Sequence, residues 1–529
     1  MNTEVQSNIQ TPPEAQPAQK KNYFGLAISG TFWGTIQYFY NAVVMFVLSI
    51  VLVRYLGKND YGIYVYSSWI SSIVILLLNL GLSTTVQTFL PRYFFNNQIT
   101  DGRLFVRKII KVQFYLLIVG ACLASGLIYY WPHFVSFEYA HLRWLIGISL
   151  FMGYLGSFNS LYSAMLSAMQ RFKFLSVVGI FSITANTLSL ILLVFLKTEL
   201  LAFVIVSSLL NLTTILFLAL KNSDLWRPIP AMHNSISYKQ IFAFSGWAYL
   251  NTLLQYIVWD KSEFFFLGKF QSSSQLAIYG LAYSFTLWLV MVIDPFMSVL
   301  INITSELVSK NDTERIHLFI KKSAKFVALL FLPAITLITW IGPILIPAVY
   351  GKALAPVSSI FPVLAFSTIL VRIYAVAWAT IVFHHDLKKL LVWELIVAVF
   401  NISLDLLLIP KYGFWGATIA NTSTQLIGVI MFTLFVRRYN IKVFDMDVRK
   451  IFAGSAALFA LSLLPHLLLR NSIVTACIAI LATIGFYAFA WKKLLGSDDI
   501  LFLRDMQNLF PAWLRKIIQK IIILYPRTS

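Results

Sequence analysis

From Tyr23 to Lys493 the sequence alternates about fourteen long apolar stretches with short polar connections, and each stretch is long enough to cross a bilayer as a helix. The pattern predicts helices near 23–53, 61–90, 112–130, 142–168, 174–196 and 201–220, then 241–267, 276–303, 323–346, 357–383, 390–409 and 415–436, and finally 451–469 and 473–491. The segment after Lys221 carries Asn222, Ser223, Pro228 and Pro230 and is the longest polar interruption before mid-chain. It reads as the seam between two bundles. The expected organisation is a disordered cytoplasmic tail (1–22), a six-helix bundle (23–221), a cytoplasmic linker (222–240), a second six-helix bundle (241–438), two additional transmembrane helices (439–493) and a basic amphipathic cytoplasmic tail (494–529). In that last tail Arg515, Lys516 and Lys520 interleave with Trp513, Ile517, Ile518, Ile521 and Ile522, a pattern that lies in a membrane interface and does not span it.

The two bundles read as copies of each other. Leu56-Gly57-Lys58 followed by Ile63-Tyr64 returns as Leu267-Gly268-Lys269 followed by Ile278-Tyr279, and the run from Asn186 to Lys197 returns from Asn401 to Lys411. The offset is about 211 to 215 residues, with an even number of helices between copies. An even number preserves orientation, so the fold class is an all-α polytopic membrane protein with two parallel bundles related by a pseudo-twofold axis along the membrane normal.

Composition narrows the function. Hydrophobic residues make up 59% of the chain and charged ones 12%, with a mean hydropathy of +0.78, more apolar surface than a soluble domain can cover. Most of the 41 Lys and Arg residues fall in alternate connections, among them Arg103, Arg107, Lys108, Lys111, Arg315, Lys321 and Lys322. That asymmetry places both termini in the cytoplasm. The net charge of +20 is scattered along loops and not gathered on one domain, which fits anionic lipid headgroups better than nucleic acid. Cys122 and Cys477 sit far apart in apolar stretches, so no disulfide framework or metal site is expected. The chain has no glycine-rich phosphate loop, metal-spaced cluster or nucleophile elbow, and its connections are too short for a catalytic domain. An enzyme is not expected, and no cofactor is called for.

Three segments carry a resemblance: LVRYLGKNDYGIYVYSSWISSIV, WDKSEFFFLGKFQSSSQLAIYGLA and NISLDLLLIPKYGFWGATIANTSTQLIG. In order and spacing they resemble polysaccharide flippases of the Wzx type, in the superfamily that also holds lipid II flippases and multidrug and toxin extrusion antiporters. The helices after Lys450 depart from that pattern. The resemblance implies a V of two bundles working by alternating access in a bacterial inner membrane. The implied cargo is an undecaprenyl-diphosphate-linked oligosaccharide, and the implied partners are membrane lipids and assembly proteins such as a polysaccharide polymerase. Two rival readings are a cation-coupled multidrug exporter and, from another class, a membrane glycosyltransferase or polymer ligase.

The intramembrane charges are the candidate site. Such a headgroup needs fixed cations for its diphosphate. Arg372 and Lys261 are the two cations that no loop accounts for, with Asn251 and Gln255 as nearby polar contacts. Arg372 is equally readable as the partner of a carboxylate, and Lys261 as a side chain snorkelling to the headgroups. Asp260 and Glu263 share a helix face, and Asp294 precedes Pro295, so these three are candidates for ion coupling. The alternative for Glu263 is a static ion pair with a base on a neighbouring helix. Glu394 and Asp405 count as interfacial, Asn79, Asn159 and Asn186 as sugar-path or interhelical groups, and His384-His385 as a solvated pair.

Overall fold

A computed structural model describes residues 23–95, 98–223, 238–256, 262–309, 312–378, 387–437, 443, 445–469, 472–506, 515 and 519. Their regular structure is helical throughout. The first bundle holds α1 (Tyr23–Asn79), α2 (Leu82–Phe95), α3 (Ile99–Tyr130), α4 (Leu142–Ala168), α5 (Phe172–Phe195) and α6 (Leu200–Lys221). The second holds α7 (Tyr238–Gln255), α8 (Ser262–Phe270), α9 (Ser273–Ser309), α10 (Thr313–Tyr350), α11 (Val357–Ile373) and α12 (Leu387–Val436). Next come α13 (Met446–Leu469), α14 (Ser472–Lys493) and a short α15 (Ser497–Met506).

Two of these helices are too long for one crossing. At 1.5 Å per residue a straight α1 of 57 residues would measure about 85 Å, against a hydrocarbon core of about 30 Å. It is two helices meeting at Gly57, whose φ of 73° and ψ of 177° suit only glycine. The 50-residue α12 is likewise two helices meeting at Gly413 (φ 55°), with Pro410 just before the break. Each therefore supplies two of the spans read from sequence. Nine segments among the described residues are long and apolar enough to cross a membrane, and these two are long enough to cross twice. The protein is a multi-pass membrane protein.

Some helices break where the apolar pattern runs on. The helix expected through 61–90 stops at Leu80 (φ 41°) and Gly81 (φ 73°) and restarts as α2. Asn79 explains the break. It accepts from the Ser83 backbone N–H at 3.0 Å and donates to the Ser83 hydroxyl at 2.8 Å and the Ser160 hydroxyl of α4 at 3.1 Å, serving as a cap and a tie between helices. Of the helix expected through 241–267, the described residues hold α7 up to Gln255 and α8 from Ser262. The helix expected through 357–383 is interrupted at Tyr374, two residues past Arg372. Hydropathy has no access to such breaks, because both sides of each stay apolar.

In the first bundle α1 packs on α4 and α5, with α6 and α2 against α4; in the second, α11 packs on α9, α10 and α12, while α13 and α14 pair and lean on α10. The bundles meet along α1 and α9. Between apolar helices in lipid, close approach and interhelical hydrogen bonds replace the hydrophobic drive. A Cβ on Gly62 would lie 1.9 Å from the Ser273 carbonyl oxygen, so the α1 backbone touches the start of α9 there. Beside it Ser274 donates to Asn59 at 2.5 Å, and Arg54 donates from Nε to Val349 O and from Nη2 to Ala348 O, both at 2.6 Å. The repeated glycines do different work: Gly57 makes a turn, whereas Gly268 stays helical and makes room for the Tyr66 ring, which a Cβ would meet at 2.4 Å.

Candidate functional site

The second bundle encloses a cavity of about 350 Å³, and all of its lining comes from α7, α9, α11 with the turn after it, and α12. Arg372 reaches this cavity because the helix ends just beyond it: the Tyr374 N–H bonds back to Val371 O at 3.0 Å and the chain turns. The guanidinium lies 3.6 Å from the Asp294 carboxylate on α9, and both side chains are about one-third exposed. That separation is well beyond the roughly 2.8 Å of a tight charge-assisted bond, so the pair neutralises Arg372 and leaves donors of its fork toward the cavity. Gln255 of α7 hydrogen-bonds Glu394, which also lines the cavity.

A second polar cluster sits behind this wall. Glu263 in the first turn of α8 is 1% exposed, and Asp405 on the first limb of α12 is wholly buried. The Asn421 amide donates to Glu263 Oε1 at 2.9 Å, and Asn401 donates to Thr424 at 3.1 Å. The Ser262 hydroxyl lies 2.6 Å from Asn401 Oδ1 and 2.8 Å from Asp405 Oδ2, sharing its one proton between them. Among the described residues Glu263 Oε2 and Asp405 Oδ1 have no hydrogen-bond partner, and no ion pair joins either carboxylate to a base. Two ionised carboxylates buried this way would be costly to leave alone. The donor set is oxygen throughout, from carboxylates, an amide and hydroxyls, which suits a proton or a hard cation and not a soft metal. The two clusters are wired together: Gln425 lines the cavity, and its amide donates at 2.8 Å to Asn421 Oδ1, one turn back on α12.

Of the residues singled out from sequence, Arg372 and Gln255 therefore line one cavity, and Asp294 joins them as the partner of Arg372. Helix α9 runs without interruption from Ser273 to Ser309, through Pro295. Glu263 stands apart from these, held by amides where an ion pair was one expectation. Asp260, Lys261, His384 and His385 lie outside the described residues, as does the Asn251 side chain. Glu394 and Asp405, expected nearer the membrane faces, are both buried within the protein, one on the cavity and one beside Glu263. Sequence reasoning missed Asn401, Asn421 and Gln425 altogether. The signal available was spacing, because Asn401 and Asp405, like Asn421 and Gln425, are four apart and share a helix face.

Known structures share this architecture. The lipid II flippase MurJ in an inward closed conformation superposes with a TM-score of 0.62 at 15% identity, over 89% of this chain and 99% of that one. A multidrug and oligosaccharide superfamily (MOP) transporter from Pyrococcus furiosus gives 0.58 at 13% identity, over 80% and 98%. An inward-facing multidrug resistance transporter of the MATE family gives 0.56 at 14% identity, over 79% and 96%. At identities this low the likeness shows the fold alone, one shared with these transporters. Among curated proteins none matches the sequence. The profile described as "Polysaccharide biosynthesis protein" matches residues 51–359, more than half of the chain and including α8, where Glu263 sits, and so the chain belongs to the polysaccharide biosynthesis protein family.

Proposed function

We propose that the protein is a flippase that carries a lipid-linked oligosaccharide, joined to its undecaprenyl carrier through a diphosphate, from the cytoplasmic to the outer leaflet of a bacterial inner membrane. Transport runs by alternating access and is coupled to a cation gradient. The observation that carries this reading is one arrangement: a cavity with Arg372 on its wall, wired through Gln425 and Asn421 to the Glu263 and Asp405 carboxylates. Arg372 serves the diphosphate, and Gln255, Asn251 and Lys261 add polar contacts to the headgroup. Glu263 with Asp405 takes up the coupling ion, with Asp260 three residues before Glu263 in sequence and Asp294 tuning Arg372. The lipid tail needs no polar path and stays in the bilayer.

The test is headgroup translocation in reconstituted vesicles carrying a fluorescent diphosphate-linked saccharide lipid. Glu263→Gln and Asp405→Asn keep size and hydrogen bonding but cannot ionise, so translocation should lose its dependence on a proton or sodium gradient. Arg372→Ala should abolish translocation, and Arg372→Lys, which keeps the charge without the bidentate fork, should be intermediate. Gradient dependence unchanged in both carboxylate variants would overturn the coupling. Export of cationic drugs without headgroup translocation would favour the exporter reading instead.

A further inference from the structure

Resting on the alternating-access part of the flippase reading, we propose that Arg54 is a lock between the two bundles, a residue of the first bundle that caps a helix end belonging to the second. The last four carbonyls of an α-helix have no partner within it, and in α10, which ends at Tyr350, these are Pro347, Ala348, Val349 and Tyr350. Pro347 O accepts from the Gly351 N–H at 3.0 Å. Ala348 O and Val349 O accept from Arg54, from Nη2 and Nε respectively, both at 2.6 Å. The last turn of α10 holds no basic residue, so the cation that its negative end favours comes from 295 residues before Val349 in the chain.

The surroundings make this contact a releasable one. Arg54 lies in the last turn before the break at Gly57, and its planar fork meets two neighbouring carbonyls at once. Deeper along α1, Ser49 shares a hydrogen bond of 2.8 Å with the Tyr350 hydroxyl, and the Phe46 ring stands edge-on to Trp288 at 5.7 Å and to Tyr350 at 6.4 Å. All of these partners belong to α9 and α10, so the first limb of α1 parts from the second bundle only by giving them up together. Ser49 is buried, whereas Arg54 is exposed. Water therefore takes over the guanidinium and the carbonyls as the seam opens, and release costs about a net hydrogen bond or two and strands no buried charge. The internal repeat separates this role from packing. The register that pairs Leu56 with Leu267 puts Phe265 where Arg54 stands, and Phe265 meets the Trp69 ring at 6.2 Å. The fold is built at the equivalent place without a cation, so the lock belongs to one side of the pseudo-twofold.

The test uses the full-length protein in lipid nanodiscs, where a water-soluble maleimide reaches both faces and the readout needs neither substrate nor a known orientation. Ser49→Cys, in a background lacking Cys122 and Cys477, puts a thiol beneath the lock in every sample. It should react slowly with Arg54 present and about fivefold to tenfold faster with Arg54→Gln, the worth of about one net hydrogen bond. Arg54→Lys keeps the charge without the fork and should fall between, and it decides the matter if Arg54→Gln fails to accumulate. A role confined to finishing α10 would lower the unfolding temperature of Arg54→Gln and leave the labelling rate unchanged; that result would overturn the lock. Faster labelling with Arg54→Lys than with Arg54→Gln would overturn it as well. If the rates separate as expected while the parent moves no saccharide lipid in vesicles, the flippase reading fails and the lock stands. If the parent translocates and the rates are equal, the lock fails and the flippase reading stands.

Discussion

At the scale of single residues, Asp499 of α15 is the most heavily committed charge among the described residues beyond the apolar spans. It is 2% exposed and accepts from Lys322, from Lys325 Nζ at 2.6 Å and from the Gly496 N–H at 2.9 Å; Lys325 also reaches Asp447 at 2.7 Å. Burial alone would push the Asp499 carboxyl up, but the Gly496 N–H and the two lysines outweigh it and hold it below the ordinary aspartate value of 3.8. A carboxylate whose value is lowered in the fold stabilises it above the unfolded-state value, and that contribution is lost as pH falls through the folded-state value. Acid should therefore release α15 first. Asp499→Asn leaves Lys322 buried without its counter-charge and Lys325 with Asp447 alone, and should cost about 3–5 kcal/mol of local stability. Hydrogen exchange across Ser497–Met506 measures this; unchanged protection would mean that the clamp holds nothing. The clamp was not legible in the sequence, where Asp499 is one acid in a basic tail. The same holds for Asp405: its place along α12 could be counted, but its neighbour Glu263 comes from a helix some 140 residues earlier, a contact that periodicity does not encode. Arg372 was legible because a lone cation in an apolar run has few places to go.

At the scale of elements, the helices themselves were legible because bilayer thickness sets one length for all of them, and the expected 142–168 matches α4. Their junctions were not, since a break such as that at Leu80 changes φ without changing hydropathy. The contact between α1 and α9 is the element on which alternating access would turn. With Gly62 against the Ser273 carbonyl, any side chain wedges these helices apart, and Gly62→Ala already forces a shift. Paired cysteines at Asn59 and Ser274, whose side chains lie 2.5 Å apart, report the contact directly in a background lacking Cys122 and Cys477. The pair should cross-link readily in the parent and block translocation until reduced. Adding Gly62→Ala should slow the cross-link markedly while protein abundance holds. Equal cross-linking with and without Gly62→Ala would show that this contact tolerates a wedge and is no gate.

At the scale of the whole molecule, the question is which way the bundles face. The base-rich connections predict a cytoplasmic side containing the start of α10, where Arg315, Lys321 and Lys322 cluster. The structure supplies the geometry that makes the orientation testable. The connection after α3 is tied to the end of α8 by the Ser136 N–H donating to Gly268 O at 2.9 Å, next to where α9 begins at Ser273. Helix α9 then runs 37 residues, about 55 Å if straight, and delivers the chain to α10. Glu138, two residues past that tie, and Glu314, at the start of α10, are both exposed and sit near opposite ends of α9. Single cysteines at these two positions, in a background without Cys122 and Cys477, should report opposite sides. With an impermeant thiol reagent on intact cells, the cysteine at Glu138 should react and the one at Glu314 should react only after permeabilisation. The reverse pattern would invert the positive-inside assignment for every loop at once, and with it the direction of the proposed transport. Equal labelling of both would contradict the membrane crossing of α9 itself.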